Sequence, residues 1–181
     1  MFHEGEFVAD YVTKPNGDPV NEEQVQAHGV ELTIDNIFSV DGKAELTDDE
    51  YNKPNREMIQ PVEVGDYATQ IIRPGDKAHH LYPGIHGNYF VVQYNELIEI
   101  PDKCVGFVWP RSRFLRCGMH LTSAVWESGY KGRGEGALYL GTETYLADNM
   151  SVGQMLMCRA SVLNQYDGSH QNERLEAYSD S

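Results

Sequence analysis

Short apolar or alternating runs, each closed by a turn signal, constrain this chain more than any other feature. Glu31-Leu32-Thr33-Ile34-Asp35 alternates polar with apolar and runs on into Asn36-Ile37-Phe38-Ser39-Val40. Asn88-Tyr89-Phe90-Val91-Val92-Gln93-Tyr94 is rich in β-branched and aromatic residues, as are Leu97-Ile98-Glu99-Ile100 and Val105-Gly106-Phe107-Val108-Trp109. Gly136-Ala137-Leu138-Tyr139-Leu140 and Gln154-Met155-Leu156-Met157-Cys158 follow in the same manner. Between them lie Pro74-Gly75-Asp76, Pro83-Gly84, Pro101-Asp102 and Gly132-Arg133-Gly134. Alternation with period two places one set of side chains on each face of a pleated strand. Many such strands separated by turn residues predict an all-β sandwich or barrel.

Helix signals are few. Asn21 is placed to cap Glu22-Glu23-Gln24-Val25, with Gln24 set for a capping-box contact. Ser112 opens a second candidate, Arg113-Phe114-Leu115-Arg116-Cys117, which Gly118 would end. The polar, acidic stretch from Asp41 to Asp66 reads as an excursion over the surface. Residues 1–163 read as one domain, and 164–181 as a polar C-terminal arm, either mobile or ordered on a partner. No internal repeat or domain linker is visible.

Charge excludes whole classes of partner. Twenty-eight Asp and Glu oppose 14 Lys and Arg, for a formal net charge of -14. Such a surface repels nucleic acid and anionic membranes, and it would repel a polyphosphate unless positive groups were gathered locally. It suits a salt-rich cytoplasm, in a cell or in a virus of a salt-loving host. The N-terminal segment lacks a basic region followed by an apolar run, and no stretch approaches the roughly 20 apolar residues of a membrane span. Cys104, Cys117 and Cys158 are odd in number and widely spaced, which argues against a disulfide framework and against a zinc site. They are expected to be buried small apolar residues in a reducing compartment.

Positive charge is in fact gathered in one place. Pro110-Arg111-Ser112-Arg113-Phe114-Leu115-Arg116 follows a strand signal and opens a helix signal. Unpaired N–H groups at a helix start, a serine hydroxyl and three guanidinium groups make a candidate phosphate cradle. The alternative is a helix start whose arginines pair with carboxylates. Glu127, between an apolar run and the glycine-bearing turn of Ala124-Val125-Trp126-Glu127-Ser128-Gly129-Tyr130-Lys131-Gly132, is either a water-orienting base or a strand-end carboxylate. Tyr130 either stacks on a base or edges the core. His79, His80 and His86 read as surface residues, because a metal site needs convergent ligands. Gly132-Arg133-Gly134-Glu135-Gly136 matches neither a P-loop nor a dinucleotide fingerprint, and its glycines are expected to supply positive φ in a tight turn.

Taken in order, these segments resemble the motifs of the trimeric deoxyuridine triphosphatase (dUTPase) and dCTP deaminase superfamily, in its archaeal dUTPase-like branch. Gly29-Val30-Glu31-Leu32-Thr33-Ile34-Asp35 resembles the first motif, and Pro110-Arg111-Ser112 with Leu115-Arg116 and Gly118 the second. Ala124 to Glu135 looks like the archaeal third motif, and Val152-Gly153-Gln154-Met155 stands at the fourth. Tyr166-Asp167-Gly168, with Gln171 and Glu173, is similar to the archaeal tail motif.

The resemblance implies a distorted jelly-roll β-sandwich or barrel with one or two short helices, assembled as a homotrimer with sites at subunit interfaces. It implies hydrolysis of dUTP to dUMP and pyrophosphate, with Mg²⁺ carried on the triphosphate rather than by protein ligands. In family terms Glu127 would activate the water, and Arg111, Ser112 and Gln154 would hold phosphate. Tyr130, beside Ala124 and Trp126, would contact the nucleoside, and Glu31 would stand in the first motif. The tail would close over a neighbouring site. Two departures stand out: the family's signature aspartates are Glu31 and Glu127 here, and Arg113 replaces a second serine. Misplacing a catalytic group by about 1 Å can cost roughly 10²-fold in rate, so a non-catalytic structural or regulatory trimer, cellular or viral, is the alternative. dCTP deamination is a third reading, but the glutamate that chemistry uses in the family falls near Ala137, with Glu135 displaced from it.

Overall fold

A computed structural model describes residues 1–47, 51–60, 62–63, 80–85, 89–142, 144–147, 149–161 and 164–175. The turn expected at Pro74-Gly75-Asp76, and His79 and His86, lie outside the described residues. In chain order the elements begin with α1 (Gly5–Ala9), β1 (Val12–Thr13), β2 (Val25–Gln26), β3 (Gly29–Asp41), β4 (Glu45–Leu46), β5 (Tyr51–Asn52), β6 (Asn55–Met58) and β7 (Val62–Glu63). They continue with β8 (His80–Ile85), β9 (Tyr89–Tyr94), β10 (Leu97–Glu99), β11 (Cys104–Pro110), α2 (Ser112–Arg116) and β12 (Met119–Thr122). The last are β13 (Lys131–Gly132), β14 (Glu135–Leu140), β15 (Thr144–Ala147) and β16 (Ser151–Arg159).

The long strand β3 organises the molecule. Its first half pairs antiparallel with β16 and its second half with β9, giving the sheet order β11-β16-β3-β9-β14-β12. The sheet curls into a nearly closed antiparallel barrel whose end strands, β11 and β12, are joined by α2. This is the all-β architecture expected. The register of β3 against β9 shifts between Ile34 and Asn36. A bulge bends a strand and re-aims its side chains. Here the apolar face continues as Ile37 rather than Asn36, and Asp35 is left only partly buried.

Inward positions alternate as the sequence predicts: Val30, Leu32 and Ile34 on β3, Phe90, Val92 and Tyr94 on β9, Leu138 and Leu140 on β14, Met155 and Met157 on β16. Each aliphatic side chain so buried stabilises the fold by roughly 1.5–3 kcal/mol relative to exposure. A buried polar knot closes the base of the core: Glu96 accepts from the Thr33 N–H (2.9 Å), the Thr33 hydroxyl (2.7 Å) and Gln24 Nε2 (2.9 Å).

Several local expectations change. The segment capped by Asn21 is a single 3-10 turn, Glu22–Gln24, in which Gln24 Oε1 accepts from the Asn21 N–H. Gln24 then turns its amide inward to Glu96, so burial of that side chain takes precedence over a longer helix. α1 is an unanticipated helix, and its buried Gly5 passes so close to the Gln26 carbonyl that no Cβ fits. Pro83-Gly84 is no turn but lies inside β8. The described part of the acidic excursion forms the β4–β5 pair, β6 and β7; β6 docks on the end of β3 and β7 pairs with β8. Cys104 is buried as expected, but Cys117 is exposed beyond α2 and Cys158 half-buried on β16.

Candidate functional site

Two groups of predicted site residues form on different parts of the barrel. The first joins β3, β11 and β16. Strand register sets Glu31 opposite Gln154, and Gln154 opposite Trp109, so the first, second and fourth motifs converge at one sheet end. Arg111 Nη1 stands 2.8 Å from Glu31 Oε2, with Glu31 almost wholly buried and Arg111 about one-third exposed. Arg113 donates to the Ser151 carbonyl at 3.3 Å. Burial, then the like charge of Arg111, lowers the Arg113 pKa from its ordinary value, and Glu31 partly opposes this. Ser112 is the exposed first residue of α2, and Gly118 follows that helix with φ of 73°, the left-handed cap expected there.

The second group surrounds a cavity of about 220 Å³ walled by the third motif and the C-terminal arm. Ala124, Trp126, Glu127 and Tyr130 all line it, joined by Glu135 from β14 and by Tyr166, His170 and Glu173 from the arm. Glu127 is exposed at its mouth. Tyr130 is buried, edge-on to Trp126 with ring centroids 5.0 Å apart, and it meets Tyr166 at 5.7 Å. Its hydroxyl donates to Glu173 Oε1 at 2.7 Å. Burial, reinforced by that bond and the Glu173 charge, pushes the phenol far above its ordinary range. Among the described residues lining this cavity, none comes from the Glu31–Arg111 group.

The glycines of the third motif serve packing rather than turn geometry. None of Gly132, Gly134 and Gly136 has positive φ; Gly129 does, at 85°. A Cβ on Gly134 would stand 2.2 Å from the Trp126 ring, one on Gly132 2.6 Å from the Tyr130 oxygen, and one on Gly136 2.2 Å from the Tyr94 oxygen. Between them Arg133 is buried, donating to the Asn95 carbonyl at 2.8 Å and to Asp35 Oδ2 at 3.1 Å. Arg174 from the arm also binds Asp35 and donates to the Arg133 carbonyl at 3.0 Å. Residues 164–175 therefore dock on this chain's own third-motif loop, where the sequence left a mobile arm or a partner-ordered one open. The Tyr166 N–H reaches the Ser128 carbonyl at 2.7 Å, and the Lys131 N–H reaches Gln171 Oε1 at 3.0 Å.

Glu135 sits at the far side of the cavity. Its Oε2 pairs with Arg56 of β6 at 2.7 Å, and its Oε1 accepts from Gln93 Nε2 of β9 at 2.8 Å. Burial raises its pKa, but the bonds from Gln93 and Arg56 outweigh burial and hold the carboxyl below its ordinary value. Arg56 and Gln93 carry no motif signal in the sequence, and Asp35, which ends the first-motif segment, is assigned no role there; only the register of β3, β6 and β9 brings them here. Among the described residues no group of three or more His, Cys, Asp or Glu is placed to hold a metal.

The sequence profile of the family described as "dCTP deaminase-like" matches residues 3–160. A "probable deoxyuridine 5'-triphosphate nucleotidohydrolase" of Halobacterium salinarum is 35% identical over 178 residues, covering 97% of both chains. A protein of the same description from Methanosarcina acetivorans is 32% identical over 158 residues, covering 84% of this chain and 83% of its own. The fold is similar to the crystal structure of a 2'-deoxycytidine 5'-triphosphate deaminase from Agrobacterium tumefaciens, with a TM-score of 0.52 and 12% identity over 86% of this chain. This chain covers 48% of that one, and the likeness concerns the fold alone. The barrel, the order of its motifs and matches across nearly its full length place this chain in the dCTP deaminase/dUTPase superfamily.

Proposed function

We propose that this protein is an enzyme that hydrolyses dUTP to dUMP and pyrophosphate. The observation that carries the reading is the cavity: it gathers Glu127, Trp126 and Tyr130 of the third motif with the arm, in a chain that matches the Halobacterium salinarum protein along 97% of its length. Glu127, exposed at the cavity mouth, is the group to take a proton from water as its oxygen attacks the phosphoanhydride and pyrophosphate departs. Trp126 and Tyr130, beside Ala124, enclose the nucleoside. Arg111, Ser112 and Gln154 form a second patch suited to phosphate. Because that patch and the cavity are separate in one chain, the reading includes a homotrimer in which neighbouring subunits complete each site.

A Mg²⁺ fits this reading as part of the substrate. Hard divalent ions favour phosphate oxygens and keep several waters rather than occupying an all-protein cage. The ion would neutralise charge on the triphosphate, while Arg111 and Ser112 orient it.

Deamination of dCTP finds less support. Ala137, on the same face of β14 as Glu135, presents only a methyl group. Glu135 is tied to Arg56 and Gln93, which disfavours the protonated state a proton shuttle must visit. One observation favours a non-catalytic nucleotide-sensing or structural role: Glu31 engages Arg111 and removes part of the positive charge a triphosphate would meet.

The deciding experiment is pyrophosphate release from dUTP, with dTTP, dCTP and UTP as controls, in Mg²⁺ at low and at molar salt. Selective release from dUTP is expected. A folded protein that releases none from any of them, under either condition, would favour the non-catalytic reading.

A further inference from the structure

We propose that the His170 imidazole is a nucleotide-binding group of the third-motif cavity and that it carries a positive charge in the complex. The inference rests on the proposed binding of a deoxyuridine nucleotide there, and it assigns a role to a residue of the arm that the reaction itself does not require.

The wall of the cavity is acidic. Glu127, Glu135 and Glu173 bring three carboxylates to it, and among its described lining residues there is no lysine or arginine. His170 is the lining side chain that can become positive, since histidine changes charge between about pH 5 and 8. A cavity of about 220 Å³ is about as wide as the ~8 Å over which charge is felt at physiological ionic strength. Every group on its wall therefore acts on a phosphate at its mouth. Hydrogen bonding points the same way. The carboxylates only accept, and the Tyr130 hydroxyl is committed to Glu173. Phosphate and carbonyl oxygens of a nucleotide also only accept, so a charged imidazole supplies a donor that the acidic wall lacks.

The arm prepares His170 for that charge. Its Nδ1 stands 3.3 Å from Glu173 Oε2, while Glu173 Oε1 takes the Tyr130 hydroxyl. Nδ1–H donates to the carboxylate in the neutral and in the charged ring alike, so the proton that comes and goes is the one on Nε2. The backbone is held as well: the His170 N–H reaches the Tyr166 hydroxyl at 3.3 Å, and the Glu173 N–H reaches the His170 carbonyl at 3.3 Å. His170 and Glu135 also wall a neighbouring groove of about 340 Å³, which Lys53 and Arg56 line. Arg56 meets Glu135 at 2.7 Å, and the charge of Arg174 in the arm reaches both Glu135 and Glu173. The fixed charges around the imidazole thus stand near balance: Glu127, Glu135 and Glu173 against Lys53, Arg56 and Arg174. An entering polyanion tips that balance, and the imidazolium is the form it stabilises. The complex then holds more protons than the free protein, so affinity falls as pH rises.

The test is titration calorimetry of the full chain with α,β-imido-dUTP, whose α,β bridge is not cleavable, in Mg²⁺ between about pH 6 and 8. Paired buffers of different ionisation heat count the protons taken up. The terminal phosphate of the analogue titrates in the same range, so wild type is compared with variants that share that titration. His170→Asn keeps a donor for Glu173 but cannot be charged. It should bind about 5-fold more weakly than wild type near pH 6, within the limit of about 10-fold per pH unit for one proton, and within about 2-fold at pH 8. It should also take up fewer protons. His170→Lys carries its charge throughout and should bind about 5-fold more tightly than His170→Asn at pH 8, which a packing role would not produce. Melting temperature and mass of each variant establish that it is folded. If His170→Asn follows wild type within about 2-fold at every pH, if both take up the same number of protons, or if His170→Lys binds no better than His170→Asn at pH 8, the inference is overturned while nucleotide binding stands. If the wild type binds the analogue at no pH, the dUTP reading itself fails and this inference with it.

Discussion

The Tyr130 hydroxyl donates a 2.7 Å hydrogen bond to Glu173 Oε1 and ties the C-terminal arm to the third motif. The bond is formed by a carboxylate in a mostly buried setting, a class worth about 1.5–3 kcal/mol. Glu173→Ala should lower unfolding stability by that order and loosen the arm. Glu173→Gln keeps an acceptor and should restore most of the loss. Chemical denaturation measures the first effect. Faster hydrogen exchange at the Arg133 amide, which donates to the Glu173 carbonyl, reports the second. Unchanged exchange in Glu173→Ala would mean that the arm is held by its other contacts.

Asp35 anchors the same arm from the opposite side, and the asymmetry of its two partners makes a sharper prediction. Arg133 is nearly inaccessible, whereas the Arg174 side chain keeps 18% of its exposure. Removing one partner of a buried ion pair typically costs about 3–5 kcal/mol, because a charge is left without compensation. Asp35→Ala should therefore destabilise the whole barrel, whereas Arg174→Ala should affect mainly the arm. Urea unfolding of the two variants separates these outcomes. Equal losses would show that Arg133 is satisfied without Asp35.

Gly134→Ala tests the packing role of the third-motif glycines. Its φ is not positive, so an alanine meets no backbone obstacle there. The Trp126 ring, 2.2 Å from the new Cβ, stands in the way, with the Tyr130 oxygen close behind at 3.1 Å. Overpacking of this kind costs about 1–3 kcal/mol, and the displaced indole should reshape the cavity. Gly17→Ala makes the contrast: it has φ of 85° and nothing within 4 Å of a Cβ, so any loss there comes from backbone strain alone.

The contrast between these glycines shows how far the sequence could be read. Alternation in β9, β14 and β16 marks strands plainly, because each has one face in the core and one outside. The glycine at the end of α2 was legible for the same local reason. Gly132 and Gly134 were not, since the rings they accommodate lie two to eight residues away along a loop that reverses. Arg133 was less legible still. An arginine between glycines looks solvated until the bulge in β3 delivers Asp35 from 98 positions upstream. The pairing of Glu31 with Arg111, and of Glu135 with Arg56, likewise depends on strand order, which local pattern does not encode. Motif order identified the superfamily, and only the folded barrel separates the cavity from the arginine patch.

Glu127 carries the chemistry of the proposed reaction, and its exposed position lets it be changed without disturbing the core. Glu127→Gln should keep the fold and the affinity for a non-hydrolysable dUTP analogue while lowering kcat by about 10²–10⁴-fold, the usual contribution of a positioned base. Glu127→Asp shortens the reach by one methylene and should retain or raise turnover. Single-turnover pyrophosphate release distinguishes these outcomes. Turnover unchanged in Glu127→Gln would remove this residue from the mechanism.

Two carboxylates, Glu96 buried and Glu135 half-buried, should give the pH dependence of stability opposite slopes. Burial raises the pKa of Glu96 above its ordinary value of 4.5, and the hydrogen bonds from Thr33 and Gln24 oppose but do not cancel it. The folded state then binds the Glu96 proton more tightly than the unfolded chain does. That contribution is complete below about pH 4.5 and is lost as pH rises through the folded value. For Glu135, burial is outweighed by Gln93 and Arg56, so its folded pKa lies below 4.5. Its contribution is present above about pH 4.5 and is lost as pH falls through the folded value. Urea unfolding across this range should show that Glu96→Gln removes part of the decline on the alkaline side. Glu135→Gln should instead flatten the acid side. The slopes are bounded by about 1.4 kcal/mol per pH unit for one proton. If Glu96→Gln parallels wild type above pH 4.5, the Glu96 carboxylate is ionised in the fold at little expense, and the bonds from Thr33 and Gln24 compensate its burial in full.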